Sequence, residues 1–249
     1  MKDLLQLVRS FLFNVQMYLA MAVIGLGMLP FALISRDAAY RAIHAYCWWV
    51  RWTASWMVGL RSEIRGTPPD DEVLIASKHQ SFLDIILIVS VTPRPKFIMK
   101  KQLIWAPILG WYAARIGCIA VDRGKRSAAI KKMVADVRSG SQVPGQLIIF
   151  PQGTRVAAGV SKPYKVGVGA LYKETGQACV PVATNVGVFW KRHGVMRRPG
   201  LAVVEFLPRV EPGKEVSKFM AHLEEEIESN SNRLMAEAGF TGEGQHQAG

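Results

Sequence analysis

Apolar and polar positions along this chain switch between two periods. Short stretches at 61–65, 72–77, 96–99, 118–121, 146–150, 178–183 and 202–207, most of them apolar runs, read as strands. Helical stretches fall between them. The clearest is 127–138, where Ser127 can cap and Ile130, Met133, Val134 and Val137 mark one apolar face at i, i+3, i+4 and i+7. A last helix over about 215–237 carries Phe219, Leu223, Ile227 and Leu234, with the acidic run Glu224, Glu225 and Glu226 on a solvated face. Strands alternating with helices predict an α/β sheet flanked by helices over 61–238. Periodicity is lost after Gly239, so 239–249 is expected to be a mobile tail.

The first sixty residues follow a different pattern. No charge occurs between Ser10 and Ser35, and 11–34 is apolar over enough helix to cross a hydrocarbon core of ~30 Å. A second segment, 42–60, places Trp48, Trp52 and Trp56 at i, i+4 and i+8, with Arg51 in its middle. A charge there is costly at a bilayer centre but natural at headgroup depth, where aromatic rings also gather. Residues 1–60 are therefore expected to be a membrane-associated helical pair, anchored in one leaflet or crossing and returning. Basic residues flank the first segment on both sides and do not decide between the two. The competing reading is a buried hairpin on a soluble core. Cleavage of a signal peptide at Ala20-Met21-Ala22 is disfavoured, because the apolar run continues to Ile34 and Asp3 interrupts the basic region.

Charge narrows the partners. The 31 basic and 19 acidic residues of the 249-residue chain leave a net charge of +12, which attracts nucleic acid, anionic lipid or phosphorylated substrates alike. Between Arg94 and Arg138 only Asp122 and Asp136 oppose the lysines and arginines, and Phe97, Trp105, Trp111 and Tyr112 are interleaved. That mixture suits a membrane interface, and no zinc-finger spacing or RNA-recognition signature supports nucleic acid. Cys47, Cys118 and Cys179 lie far apart without a Cys-x-x-Cys pair, so neither a disulfide framework nor a zinc site is indicated.

Candidate chemistry begins at Lys78-His79-Gln80-Ser81-Phe82-Leu83-Asp84, between the strand at 72–77 and an apolar run that a helix could bury. His79 can take a proton from a hydroxyl while Asp84 fixes the imidazole tautomer. On one continuous helix a five-residue separation turns side chains about 140° apart. The pair therefore meets only if His79 precedes the helix and Asp84 lies in its first turn. Against this, Ser81-Phe82-Leu83-Asp84 also has the form of an N-terminal capping box, with Asp84 serving only backbone donors.

Two further segments place an arginine beside a glycine past the end of a strand, where open α/β sheets bind ligands. These are Phe150-Pro151-Gln152-Gly153-Thr154-Arg155 and the segment ending Asp122-Arg123-Gly124. The guanidinium fork matches phosphate oxygens, and glycine admits close backbone approach. Ordinary turn chemistry and solvated surface charge are the alternatives. A phosphate-binding loop at Gly117–Gly124 fails on glycine spacing, and no Gly-x-Ser-x-Gly elbow occurs.

Taken in order, these segments resemble the glycerolipid acyltransferase family over roughly 62–206. The family's four blocks are matched by His79 with Asp84, by Arg123, by the 150–155 segment, and by Val180-Pro181-Val182. The resemblance implies a glycerolipid-acyltransferase-like sheet flanked by helices, behind the amino-terminal membrane-associated pair. It also implies direct transfer of an acyl group to the sn-2 hydroxyl of a lysophosphatidate, giving phosphatidate without a covalent acyl-enzyme. His79 would be the base and Asp84 its partner. Arg123, Gln152, Gly153, Thr154 and Arg155 would hold the acceptor phosphate. Lys101 would be the oxyanion candidate, and Val180, Pro181 and Val182 acyl-binding candidates. Coenzyme A or acyl carrier protein would carry the acyl group, the bilayer would be a partner, and no metal, cofactor or nucleic acid is expected. The setting would be the cytoplasmic face of a bacterial inner membrane. Apolar residues around Trp105 and Trp111, with the amino-terminal helices, would receive the acyl chain.

One position departs from the family, which has Glu where this chain has Gln152. Beside a phosphate, loss of a carboxylate relieves repulsion, so the change bears on acceptor selectivity. A lyso-ornithine lipid is the alternative acceptor, and a non-catalytic binder of anionic lipid or nucleic acid is the alternative of another class.

Overall fold

The computed structural model describes residues 2–121, 131, 134, 135 and 144–241. Two long helices come first, α1 (Lys2–Ile34) and α2 (Arg36–Met57). Only Ser35 separates them. Its extended backbone turns the chain, its hydroxyl accepts the Ala38 amide at 3.4 Å, and Asp37 complements the dipole in the first turn of α2. Both helices therefore start earlier than the apolar runs alone indicate.

α1 is bound to the rest of the chain near both of its ends. At its start Gln6 donates to Val58 O and Arg197 O, Ser10 Oγ accepts the Arg197 amide at 2.9 Å, and Asn14 donates to Val195 O at 3.0 Å. At its far end Tyr112 OH donates to Gly25 O at 2.9 Å and Arg115 Nε to Ala32 O at 2.7 Å. Between these, Phe13 is fully buried with its ring edge-on to Trp190 at 5.6 Å. The opposite side of α1 leaves Leu5, Leu12, Leu19, Val23 and Leu26 exposed. On α2, Trp48, Trp52 and Trp56 are exposed and form a ladder with successive ring centroids 5.7 and 5.8 Å apart. Arg51 does not face outward with them. It turns inward, donating to Ser62 Oγ at 3.0 Å and Ser90 Oγ at 2.8 Å.

Seven strands form one sheet: β1 (Leu60–Arg65), β2 (Leu74–Ser77), β3 (Pro95–Lys100), β4 (Ile119–Val121), β5 (Gln146–Ile149), β6 (Cys179–Thr184) and β7 (Gly200–Phe206). Their order is β1-β7-β6-β2-β5-β3-β4, parallel throughout except for the antiparallel pair β6 and β7. Every strand expected from the apolar runs is present. The central strands are buried on both faces because helices cover both. Ile75 of β2 packs into a core with α2 and α3 (Leu83–Val91), whereas its neighbours Leu74 and Ala76 pack into a second core with α5 (Gly167–Thr175) and α7 (Val216–Glu237). A 3₁₀ turn (Lys101–Trp105) and α4 (Leu109–Arg115) follow β3, and a short α6 (Val186–Phe189) follows β6.

Phe219, Leu223, Ile227 and Leu234 of α7 are all fully buried, as their spacing requires. Of the helix expected at 127–138, Lys131, Val134 and Ala135 are helical and the other positions lie outside the described residues. Of the tail expected from Gly239 onward, the Phe240 amide donates to Met235 O at 3.0 Å. Residues 242–249 lie outside the described part of the chain.

Candidate active site

The parallel sheet ends β2 at Ser77, yet the ladder persists one residue further, where the Lys78 amide donates to Val182 O at 3.1 Å. The chain then turns. Ser81 Oγ accepts the Leu83 amide at 2.9 Å and starts α3. His79 thus lies before the helix and Asp84 in its first turn, which is the arrangement the five-residue spacing requires. His79 Nδ1 and Asp84 Oδ1 are 2.9 Å apart, while Asp84 Oδ2 accepts the backbone amides of Gln80 at 2.7 Å and Ser81 at 2.9 Å. The orienting role and the capping role therefore belong to one carboxylate, one oxygen each. Asp84 is fully buried and the His79 side chain 13% exposed. With Nδ1–H donated to the carboxylate, Nε2 keeps a lone pair for a proton.

A second contact holds the ring face. His79 stacks on Phe150, with centroids 4.0 Å apart and planes at 19°. Its carbonyl accepts the Val156 amide at 2.7 Å, so backbone and side chain both register His79 against the 150–156 turn. Gly153 in that turn has φ +68°, and a Cβ there would lie 2.2 Å from Lys165 Nζ. The left-handed backbone is what favours glycine here, since the flexible Lys165 side chain could move aside.

His79 lines a cavity of about 870 Å³. At one end are Gly153, Thr154, Arg155, Lys165 and Arg192. Arg155 and Arg192 exchange hydrogen bonds, each guanidinium donating to the other's backbone carbonyl at 3.4 and 3.3 Å. Away from them the wall is apolar, built by Met21 and Ile24 of α1, Tyr46 of α2, Ile86 of α3, Ile98 of β3 and Ile116. Such a space can hold a chain of methylene groups with a charged headgroup against the cations. Burial pushes the Cys118 thiol in this wall up to about 11, which keeps it protonated and unreactive.

The remaining expected residues fall elsewhere. Arg123 lies outside the described residues. Lys101 is exposed at the start of the 3₁₀ turn and does not line the cavity. Val180, Pro181 and Val182 are interior to β6, pairing with β2. They support the strand that carries His79 and do not reach the cavity wall. Trp105 and Trp111 point outward, while Leu103, Ile108 and Leu109 around them face the cavity. Gln152 is also turned away from the cavity. It is buried, and its Nε2 faces two acceptors, Lys162 O at 3.3 Å and Glu228 Oε1 at 3.4 Å. Two acceptors there require a donor, so an amide fits this position and a carboxylate would be repelled. Glutamine thus suits the acceptors that Lys162 and α7 present at this position.

Lys165 and Arg192 were not singled out by their spacing. Each looks like a surface cation in a loop, and only the tertiary fold brings them to Arg155.

The fold and site define an α/β protein in which a hydrogen-bonded His–Asp pair lines a cavity with a cationic part and an apolar wall. The sequence model of the Acyltransferase family matches residues 61–185. The chain is 28% identical over 203 residues to the 1-acyl-sn-glycerol-3-phosphate acyltransferase of Pseudomonas aeruginosa, covering 80% of this chain and 79% of that protein. It is 31% identical over 134 residues to the human 1-acyl-sn-glycerol-3-phosphate acyltransferase alpha, covering 52% of this chain and about half of the human protein, 47%. Its fold is similar to the crystal structure of the 1-acyl-sn-glycerophosphate (LPA) acyltransferase, PlsC, from Thermotoga maritima, with a TM-score of 0.76 at 20% identity over 93% of this chain and 98% of that one. The chain belongs to the acyltransferase family.

Proposed function

We propose that this protein transfers a fatty acyl group from an acyl thioester to the sn-2 hydroxyl of 1-acyl-sn-glycerol-3-phosphate, giving phosphatidate. The observation that carries this reading is the position of His79, a base oriented by Asp84 at 2.9 Å and lining the same cavity as Arg155, Lys165 and Arg192. The activity borne by the names of the relatives agrees with it. Arg155, Arg192 and Lys165 hold the acceptor phosphate by charge-assisted hydrogen bonds, the role that the family resemblance also implies for Arg123, which lies outside the described residues. The acyl chain lies along the apolar wall.

The free hydroxyl then sits at His79 Nε2. As its oxygen attacks the thioester carbonyl, Nε2 takes the proton and Asp84 stabilises the imidazolium. The tetrahedral oxyanion collapses, the C–S bond breaks, and the thiolate takes the proton back from His79. Ester and free thiol are the products. Coenzyme A and acyl carrier protein both supply such a thiol.

The enzyme works at a membrane. α1 is long and apolar enough to cross one, yet its hydrogen bonds to the domain near both ends, at Gln6 and at Ala32, hold it flat against the protein. A helix clamped in this way cannot traverse a bilayer without carrying the domain with it. We infer insertion along one leaflet, with the exposed leucines of α1 and the tryptophan ladder of α2 in the lipid. Met21, Ile24 and Tyr46 then form a wall shared by cavity and membrane.

The test is acyl transfer by detergent-purified protein from acyl-coenzyme A, and separately from acyl carrier protein, to lysophosphatidate and to lyso-ornithine lipid. Phosphatidate formation supports the reading. Acylation of the ornithine lipid alone overturns the assigned acceptor.

A further inference from the structure

One largely buried polar cluster is given no step in the reaction just described, although its Tyr164 lines the cavity. Lys78, the residue before His79, has a side chain only 1% exposed, and its ammonium pairs with Glu228 of α7. The other oxygen of Glu228 accepts from Tyr164 OH at 3.0 Å and from Gln152 Nε2 at 3.4 Å. Burial, reinforced by this carboxylate, pushes the Tyr164 phenol well above its usual range, so it stays a neutral donor. A single side chain thus joins the loop carrying His79, the 150–155 turn, and the segment holding Tyr164 and Lys165. α7 touches the first of these again through Gln80 Nε2 and Met235 Sδ at 3.5 Å. Glu228 itself lies outside the residues matched by the family, 61–185.

We infer that Glu228 is a positioning residue for this site, setting His79 in register with the turn that carries Arg155. Buried charges are stable only in pairs, and removing one partner leaves the other uncompensated. Here the uncompensated group would be the ammonium on the residue adjoining the base. A shift of Lys78 towards water moves His79 off Phe150 and away from the cavity end where the acceptor hydroxyl waits. The Gln152 amide completes the cluster. It donates where a second carboxylate would repel Glu228, and its own Oε1 is buried with no hydrogen-bond partner among the described residues.

This inference rests on the acyl-transfer reading, and the two can fail separately. Full-length protein is assayed for phosphatidate formation as wild type, Glu228→Gln, Gln152→Glu and the double variant, with thermal unfolding recorded for each. Glu228→Gln is expected to lower kcat about 10- to 100-fold while the KM for lysophosphatidate stays within about threefold, because geometry at the base is lost and phosphate contacts are kept. Gln152→Glu crowds two carboxylates and is expected to lower kcat as well. The double variant keeps one carboxylate and one amide with their places exchanged, and Lys78 has a flexible stem to follow the charge. A carboxylate at 152 still faces Lys162 O, so recovery is expected to be partial, with a kcat above that of the worse single variant. Tyr164→Phe removes one hydrogen bond to Glu228 at nearly constant volume, and is expected to lower kcat about 3- to 10-fold even where the charge variants unfold. Unchanged kcat in folded Glu228→Gln or in Tyr164→Phe overturns the inference, as does a folded double variant no better than the worse single one. A wild-type protein that forms no phosphatidate overturns the reading on which it rests.

Discussion

Asp84 holds His79 through one carboxylate oxygen and the loop between them through the other. Oδ1 meets His79 Nδ1 at 2.9 Å, and Oδ2 accepts the amides of Gln80 and Ser81. Local folding and base orientation are thus the work of one buried group. Asp84→Asn keeps the shape but turns an NH₂ towards one set of these donors. The expected outcome is a kcat lowered about 10²- to 10⁴-fold, together with about 1–3 kcal/mol of lost stability from unsatisfied amides. Steady-state kinetics and thermal unfolding check the two effects.

Arg155 is expected to act on binding. Arg155→Ala should raise the KM for lysophosphatidate about 10- to 100-fold, the equivalent of one charge-assisted hydrogen bond of about 1.5–3 kcal/mol. An acceptor lacking a phosphate should be affected much less. Equal loss with both acceptors, measured side by side, contradicts a phosphate contact.

Thiol chemistry gives a third check. Burial pushes Cys118 up to about 11 and Cys179 up to about 12, so neither forms a nucleophilic thiolate near neutrality. Folded protein at pH 8 is expected to leave both unlabelled by a disulfide reagent, and denatured protein to expose them. Enzyme quenched during turnover should carry no thioester-linked acyl group. An acyl-cysteine found by mass spectrometry contradicts direct transfer.

The tryptophan ladder should govern membrane binding. Replacing Trp48, Trp52 and Trp56 together by alanine is expected to weaken partition into anionic vesicles at least about tenfold, since each exposed ring contributes apolar area at the interface. Folding should be unaffected, because all three rings are exposed. Vesicle sedimentation measures the first and circular dichroism the second.

How much of this was legible in sequence depended on the range of the interaction. The central strands were readable because each is a short apolar run buried by helices on both faces, as in β2 and β6. His79 and Asp84 were readable because their contact is local, made within one loop and the first turn of α3. Helix starts were less so, since Lys2 and Arg36 extend helices whose apolar patterns begin later. Arg51 illustrates a different limit. Its place among tryptophans implied a headgroup contact, and only the fold shows Ser62 and Ser90 waiting on the other side of α2. The contact of Gln152 with Glu228 was not legible, because 76 residues separate the two. Glu228 itself follows the run Glu224, Glu225, Glu226 and reads as one more solvated charge until Lys78 is brought against it.

The most direct measurement is phosphatidate formation from lysophosphatidate and an acyl thioester by wild-type protein and His79→Ala. The expected result is robust product from the wild type and a kcat about 10²- to 10⁴-fold lower in a variant that still folds and binds lipid. Equal rates from the two proteins, or no phosphatidate from the wild type with either donor, would contradict His79 as the base of an acyl transfer to this acceptor.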